Sequence, residues 1–175
     1  MKIFDVAEKS ETKSIETPAG ATYTIGYTGD GRHVIASHAD GTLRAWSAGD
    51  GTEAKNLSAQ AGYVHTYGFS RDGRFMAYPA GDGSLLVYET GGWKESHSLE
   101  GHPGGTNFLA FHPNGRYIAS SGADGAVKVW DLTTRKAATL AEKVGANSRL
   151  TFSTDGQTLV IVGTDGAIRL FGRKK

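Results

Sequence analysis

Phe111-His112-Pro113-Asn114-Gly115-Arg116, followed by Ala123-Asp124-Gly125-Ala126-Val127-Lys128-Val129-Trp130-Asp131, decides the fold, because the same plan occurs four times in the chain. Upstream, Tyr27-Thr28-Gly29-Asp30-Gly31-Arg32 leads to Asp40-Gly41 and Trp46, and Phe69-Ser70-Arg71-Asp72-Gly73-Arg74 leads to Asp82-Gly83 and Tyr88. Downstream, Phe152-Ser153-Thr154-Asp155-Gly156 leads to Asp165-Gly166 and Phe171. The leading aromatics lie 42, 42 and 41 residues apart, and the second Asp-Gly always begins 13 residues after its aromatic. A period of this length, kept without gaps, marks a repeat architecture.

Asp-Gly and Asn-Gly between alternating apolar runs are hairpin turns, since both central turn positions need positive φ. Between them lie β-type stretches such as His33-Val34-Ile35-Ala36-Ser37, Val127-Lys128-Val129-Trp130 and Thr158-Leu159-Val160-Ile161-Val162. No window carries a helical period, so the chain reads as all-β. One such unit cannot bury both faces of its sheet; stacked units bury each other. Of the 25 glycines among 175 residues, nine follow an Asp or Asn in such a pair.

The third repeat, with Gly101-His102 ahead of it and Trp130-Asp131 at its end, resembles the WD-repeat β-propeller family, and the likeness extends over nearly the whole chain. The resemblance implies an all-β propeller of four-stranded antiparallel blades, with repeats at about 21–60, 61–102, 103–144 and 145–175. It further implies a hydrogen-bonded structural tetrad of His102, Ser120, Asp124 and Trp130. Repeat one keeps Ser37, Asp40 and Trp46 but has Pro18-Ala19-Gly20 in place of Gly-His. Repeat two has Ala61-Gly62 and Tyr88, and repeat four has Gly145-Ala146 and Phe171. A complete tetrad is therefore expected in one blade only.

With the family's strands lettered A (inner) to D (outer), inner triplets fall at about 21–46, 63–88, 106–130 and 147–171. Outer strands fall near Thr52–Leu57, Trp93–Leu99 and Lys136–Leu140. Only Gly172-Arg173-Lys174-Lys175 follows the fourth triplet, so Glu11-Thr12-Lys13-Ser14-Ile15-Glu16 is expected to supply its outer strand. Met1-Lys2-Ile3-Phe4-Asp5-Val6 matches Lys128-Val129-Trp130-Asp131-Leu132 and reads as the C strand of a preceding blade. Residues 1–17 thus contribute a C-like and a D strand to a single 1–175 propeller unit. Four blades could close within one chain, two chains could pool four each into an eight-bladed ring, or the chain could be a piece or engineered half of a larger ring. An open half-ring exposes apolar faces and sheet edges, which favours self-association into a homodimer.

Lys plus Arg is 19 and Asp plus Glu is 18, a balance that offers no field for nucleic acid or an anionic membrane. With no cysteine, thiolate chemistry and Cys-based zinc sites are excluded. Nothing approaches the roughly 18 consecutive apolar residues of a membrane span. The composition suits cytoplasm, periplasm or a secreted context, and the cytoplasm is favoured. Seven acidic residues (Asp30, Asp40, Asp72, Asp82, Asp124, Asp155 and Asp165) sit in repeated turns, where they cap their own backbone. The six histidines form no zinc-hydrolase motif, and the inner strands offer too few acids and bases for catalysis. The sequence therefore predicts a non-catalytic scaffold that binds proteins, without cofactor or metal, the alternative being a propeller enzyme with its active site in the central channel. Propeller partners dock on the face made by the D-to-A and B-to-C loops. Tyr63, His65, His38, Tyr78, Thr106, Asn107, Asn147 and Arg149 lie near those loops and are the candidate contacts.

Overall fold

Turn chemistry sets the strand boundaries. The computed structural model describes residues 1–18, 20–57 and 66–172. Asp30, Asp72, Asn114 and Asp155 each accept the backbone N–H two residues on, at 3.0, 3.1, 3.0 and 2.9 Å. The glycines between, Gly31, Gly73, Gly115 and Gly156, have φ of 69–72°, a region a Cβ disfavours. Asp40, Asp82, Asp124 and Asp165 cap the second turn of each repeat in the same way.

β1 (Lys2–Asp5) and β2 (Ser10–Ser14) form a two-stranded hairpin. Sheet I is β3 (Thr22–Tyr27), β4 (His33–His38), β5 (Leu43–Ser47) and β6 (Glu53–Asn56). Sheet II is β7 (Gly68–Phe69), β8 (Phe75–Pro79), β9 (Leu85–Glu89) and β10 (Lys94–Leu99). Sheet III is β11 (Thr106–Phe111), β12 (Tyr117–Gly122), β13 (Val127–Asp131) and β14 (Lys136–Ala141). Sheet IV has three strands, β15 (Arg149–Phe152), β16 (Thr158–Val162) and β17 (Ile168–Gly172). Every pairing is antiparallel between sequence neighbours. The all-β, blade-like architecture is thus the one expected.

Alternation along each strand sends one set of side chains to each neighbouring sheet. Ala36 and Trp46 meet Ile15 of the hairpin, whereas Ile35, Leu43 and Ala45 meet Met76 and Tyr78 of sheet II. Ala77, Leu85 and Val87 meet Leu109, Ile118 and Trp130 of sheet III, and Ala119 and Val127 meet Leu159 and Ile161 of sheet IV. Each fully buried Leu, Ile or Val contributes about 1.5–3 kcal/mol. The first turns also stack: a Cβ on Gly29 would lie 2.6 Å from Gly73 Cα, so sheets I and II touch there backbone to backbone.

The row of sheets stays open among the described residues. β2 was expected beside the fourth triplet; it pairs instead with β1, from Lys2↔Ser14 to Asp5↔Ser10. A hairpin closed by four residues costs far less chain entropy than joining the ends of the chain. The hairpin keeps the phase of the complete sheets: Lys9, Gly51, Trp93 and Arg135, each 42 residues apart, hold the same left-handed turn position at φ 50, 79, 51 and 59°.

Candidate interaction surfaces

Sheet III carries one continuous polar chain through its core. Trp130 Nε1–H donates to Ser120 Oγ at 2.7 Å, and Ser120 Oγ–H donates to His102 Nε2 at 2.8 Å. His102 Nδ1–H then donates to Asp124 Oδ1 at 2.9 Å. Every member is satisfied when His102 is neutral, and burial lowers its pKa against the opposing pull of Asp124. Burial also opposes ionisation of Asp124, but the Ala126 amide and His102 outweigh it and hold the carboxyl low. The arrangement is an internal brace.

Sheet I solves the same problem differently. Ser37, matched in sequence to the hub serine, hydrogen-bonds Thr24 at 2.9 Å and stands one residue out of phase, in the place of Ser121. Ala36 occupies the hub position and packs with Trp46. A Cβ on Gly122 would lie 2.3 Å from His102, so the glycine makes room for that ring. The equivalent residue in sheet I is His38, which fills the space itself, edge-on to Trp46 at 5.5 Å.

The structure buries three of the proposed contacts. His38 is 1% exposed, Tyr78 is 1% exposed within the sheet I–II core, and Thr106 is 7% exposed. Tyr78 lies on the face that sheet I covers, and His38 packs against Trp46 of its own sheet, facts that loop proximity alone does not reveal. Burial pushes the Tyr78 phenol up and the His38 imidazole down. Asn107, Asn147 and Arg149 do come together: Asn107 Nδ2–H donates to Ala146 O, and the Arg149 guanidinium lies 4.5 Å from the Phe108 ring centre. Asn147 and Arg149 are exposed. Tyr63 and His65 lie outside the described residues.

Two surfaces went unnoticed in the sequence. On sheet I, Ile25 is 58% and Tyr27 50% exposed, because the hairpin packs on Ala36 of β4 and Trp46 of β5 and leaves these β3 side chains uncovered. On sheet IV, Ile168 is 68% and Leu170 69% exposed, with Val162 beside them. Their repeat positions could have flagged them. Leu43, Leu85 and Val127 occupy the place of Ile168 and are fully buried, and Leu109, in the place of Ile25, is 8% exposed.

Among the described residues no three His, Asp or Glu side chains gather as a metal site. No helix among them is long and apolar enough to cross a membrane. The turn carboxylates are occupied by hydroxyl and amide donors, as at Asp72, whose pKa the Ser70 hydroxyl lowers. The family model described as "WD domain, G-beta repeat" matches residues 93–131, the segment containing the His102 chain. Comparison with curated proteins gave no match.

Proposed function

We propose that this chain, a WD-repeat protein with blade-like sheets, is a non-catalytic protein-interaction scaffold whose first partner is a second copy of itself. Repeats of this family typically serve as scaffolds for protein interactions. The observation that carries the self-association is the complementarity of the two end faces. Ile25 and Tyr27 occupy the positions from which Leu109 and Phe111 reach sheet II, and Leu150 and Phe152 reach sheet III. Ile168 and Leu170 occupy the positions of the surface that receives them. The chain already builds this interface three times, so a copy laid head to tail builds it once more at each end. Such exposed apolar faces mark association sites. Light scattering on a sizing column tests the reading: a species at twice 18.5 kDa supports it, and a monomer at micromolar concentration refutes it.

The cluster of Asn107, Asn147 and Arg149 is the proposed contact for a further protein partner, with Arg149 as its anchor. Alanine at Asn147 and Arg149 should weaken binding of an identified partner at least tenfold while leaving the assembly mass unchanged. Unaltered affinity would remove these residues from the interface.

A further inference from the structure

Among the described residues sheet IV has no outer strand, and β17 presents a free edge beside a groove lined by Tyr117, Val129, Leu140, Phe152 and Phe171. Between sheets I and II the corresponding groove is filled by Trp93, at the start of an outer strand, with its ring 5.2 Å from His33. His33 holds the repeat position of Tyr117. The groove on sheet IV thus lies where an outer strand would begin, and Lys9, just ahead of β2, holds the position of Trp93.

We infer that this place is taken by β2 of a second copy, which leaves its own β1 and pairs along β17. The inference rests on the head-to-tail association proposed above. When sheet I of one copy stacks on sheet IV of another, its hairpin arrives at the outer half of sheet IV. There β1 and β17 claim one place: Lys2, Ile3 and Phe4 hold the same repeat positions as Arg169, Leu170 and Phe171. β2 meets no competitor among the described residues, none of which takes the outer position.

β17 is the better anchored of the two claimants. It pairs with β16 over five residues, and Phe171 packs into the core between sheets III and IV. β1 pairs only with β2, the strand that would leave it, over four positions, and Phe4 is 58% exposed. Exchange replaces Lys2↔Ser14, Ile3↔Lys13, Phe4↔Glu11 and Asp5↔Ser10 with the same β2 residues opposite Arg169, Leu170, Phe171 and Gly172. No ladder position is lost, while the apolar end faces become covered.

The charges repeat as well. Arg44 in sheet I reaches Asp40 at 3.4 Å on its turn and Glu53 at 3.3 Å on its outer strand. Arg169 and Asp165 are the equivalent pair in sheet IV, at 2.5 Å, and Glu11 is the equivalent of Glu53. An incoming β2 brings Glu11 to Arg169 in exchange for its present partner Lys2, 2.6 Å away. Each chain then supplies four complete blades, and two chains make eight.

The native chain has no cysteine, so engineered pairs report the register directly. In the Leu170→Cys/Lys13→Cys variant, mild oxidation should link most chains to one another. In the Ile3→Cys/Lys13→Cys variant, the intrachain link should be largely lost. Arg169→Cys/Ser14→Cys reads the same register from the opposite face, should the first pair fold poorly. Light scattering accompanies each variant. A dimer that links only Ile3→Cys to Lys13→Cys keeps the association and overturns the exchange. A monomer with that same link overturns both. An intrachain link between positions 170 and 13 means one chain closes on itself and overturns the second copy, and failure of every pair overturns the exchange.

Discussion

Replacing Ser120 with alanine removes the hub of the polar chain in sheet III while leaving its apolar packing in place. Ser120 is fully buried and joins two groups that have no route to water through it. Trp130 Nε1–H loses its acceptor at 2.7 Å, and His102 Nε2 loses its donor at 2.8 Å. A buried polar group stripped of its partner costs about 1–3 kcal/mol, so the two together cost about 2–6 kcal/mol. That is a large share of the roughly 5–15 kcal/mol that holds an ordinary domain folded. Urea unfolding at one fixed protein concentration measures it, since the proposed self-association would make apparent stability concentration-dependent. The Trp130→Phe variant removes one of the stranded groups. The double variant should therefore lose less than the sum of the two single losses. A Ser120→Ala loss under about 1 kcal/mol, or strict additivity in the cycle, would refute the bracing role assigned to this chain.

Further outcomes follow from the same geometry. Burial holds His38 and His102 below the usual histidine pKa of 6.5, so the unfolded chain takes up protons near that pH and the folded chain does not. Stability is full above pH 6.5 and falls as the pH drops below it; an unchanged urea midpoint between pH 7.5 and pH 5.5, taken as roughly one unit either side, would contradict this. Gly29→Ala drives a methyl into the Gly73 backbone and should cost about 1–3 kcal/mol, whereas thermal unfolding like that of the wild type would mean the turns do not touch. Leu170→Glu and Ile25→Glu each place a charge on an exposed end face. Both should leave the circular dichroism spectrum intact and shift the sedimenting mass from dimer to monomer; a surviving dimer would put its interface elsewhere.

The repeat, its hairpin turns and the stacked four-stranded sheets were legible in the residues alone, because each turn is decided locally. An Asp or Asn side chain caps a backbone amide two positions away, and the glycine beside it accepts a φ near 70°, whatever the rest of the chain does. The His102 chain was legible only through the resemblance to the WD-repeat family, because its four residue types occur together in the third repeat alone. Exposure was not. Ile25 and Leu109 are the same residue of the repeat, yet one is 58% and the other 8% exposed, because a full sheet stands over Leu109 and only a hairpin stands beside Ile25. For the same reason His38 and Tyr78, near loops in the sequence, prove to be core. Local chemistry fixes a turn within a few residues, but burial is a property of what another part of the molecule places opposite, and only the assembled tertiary structure supplies that.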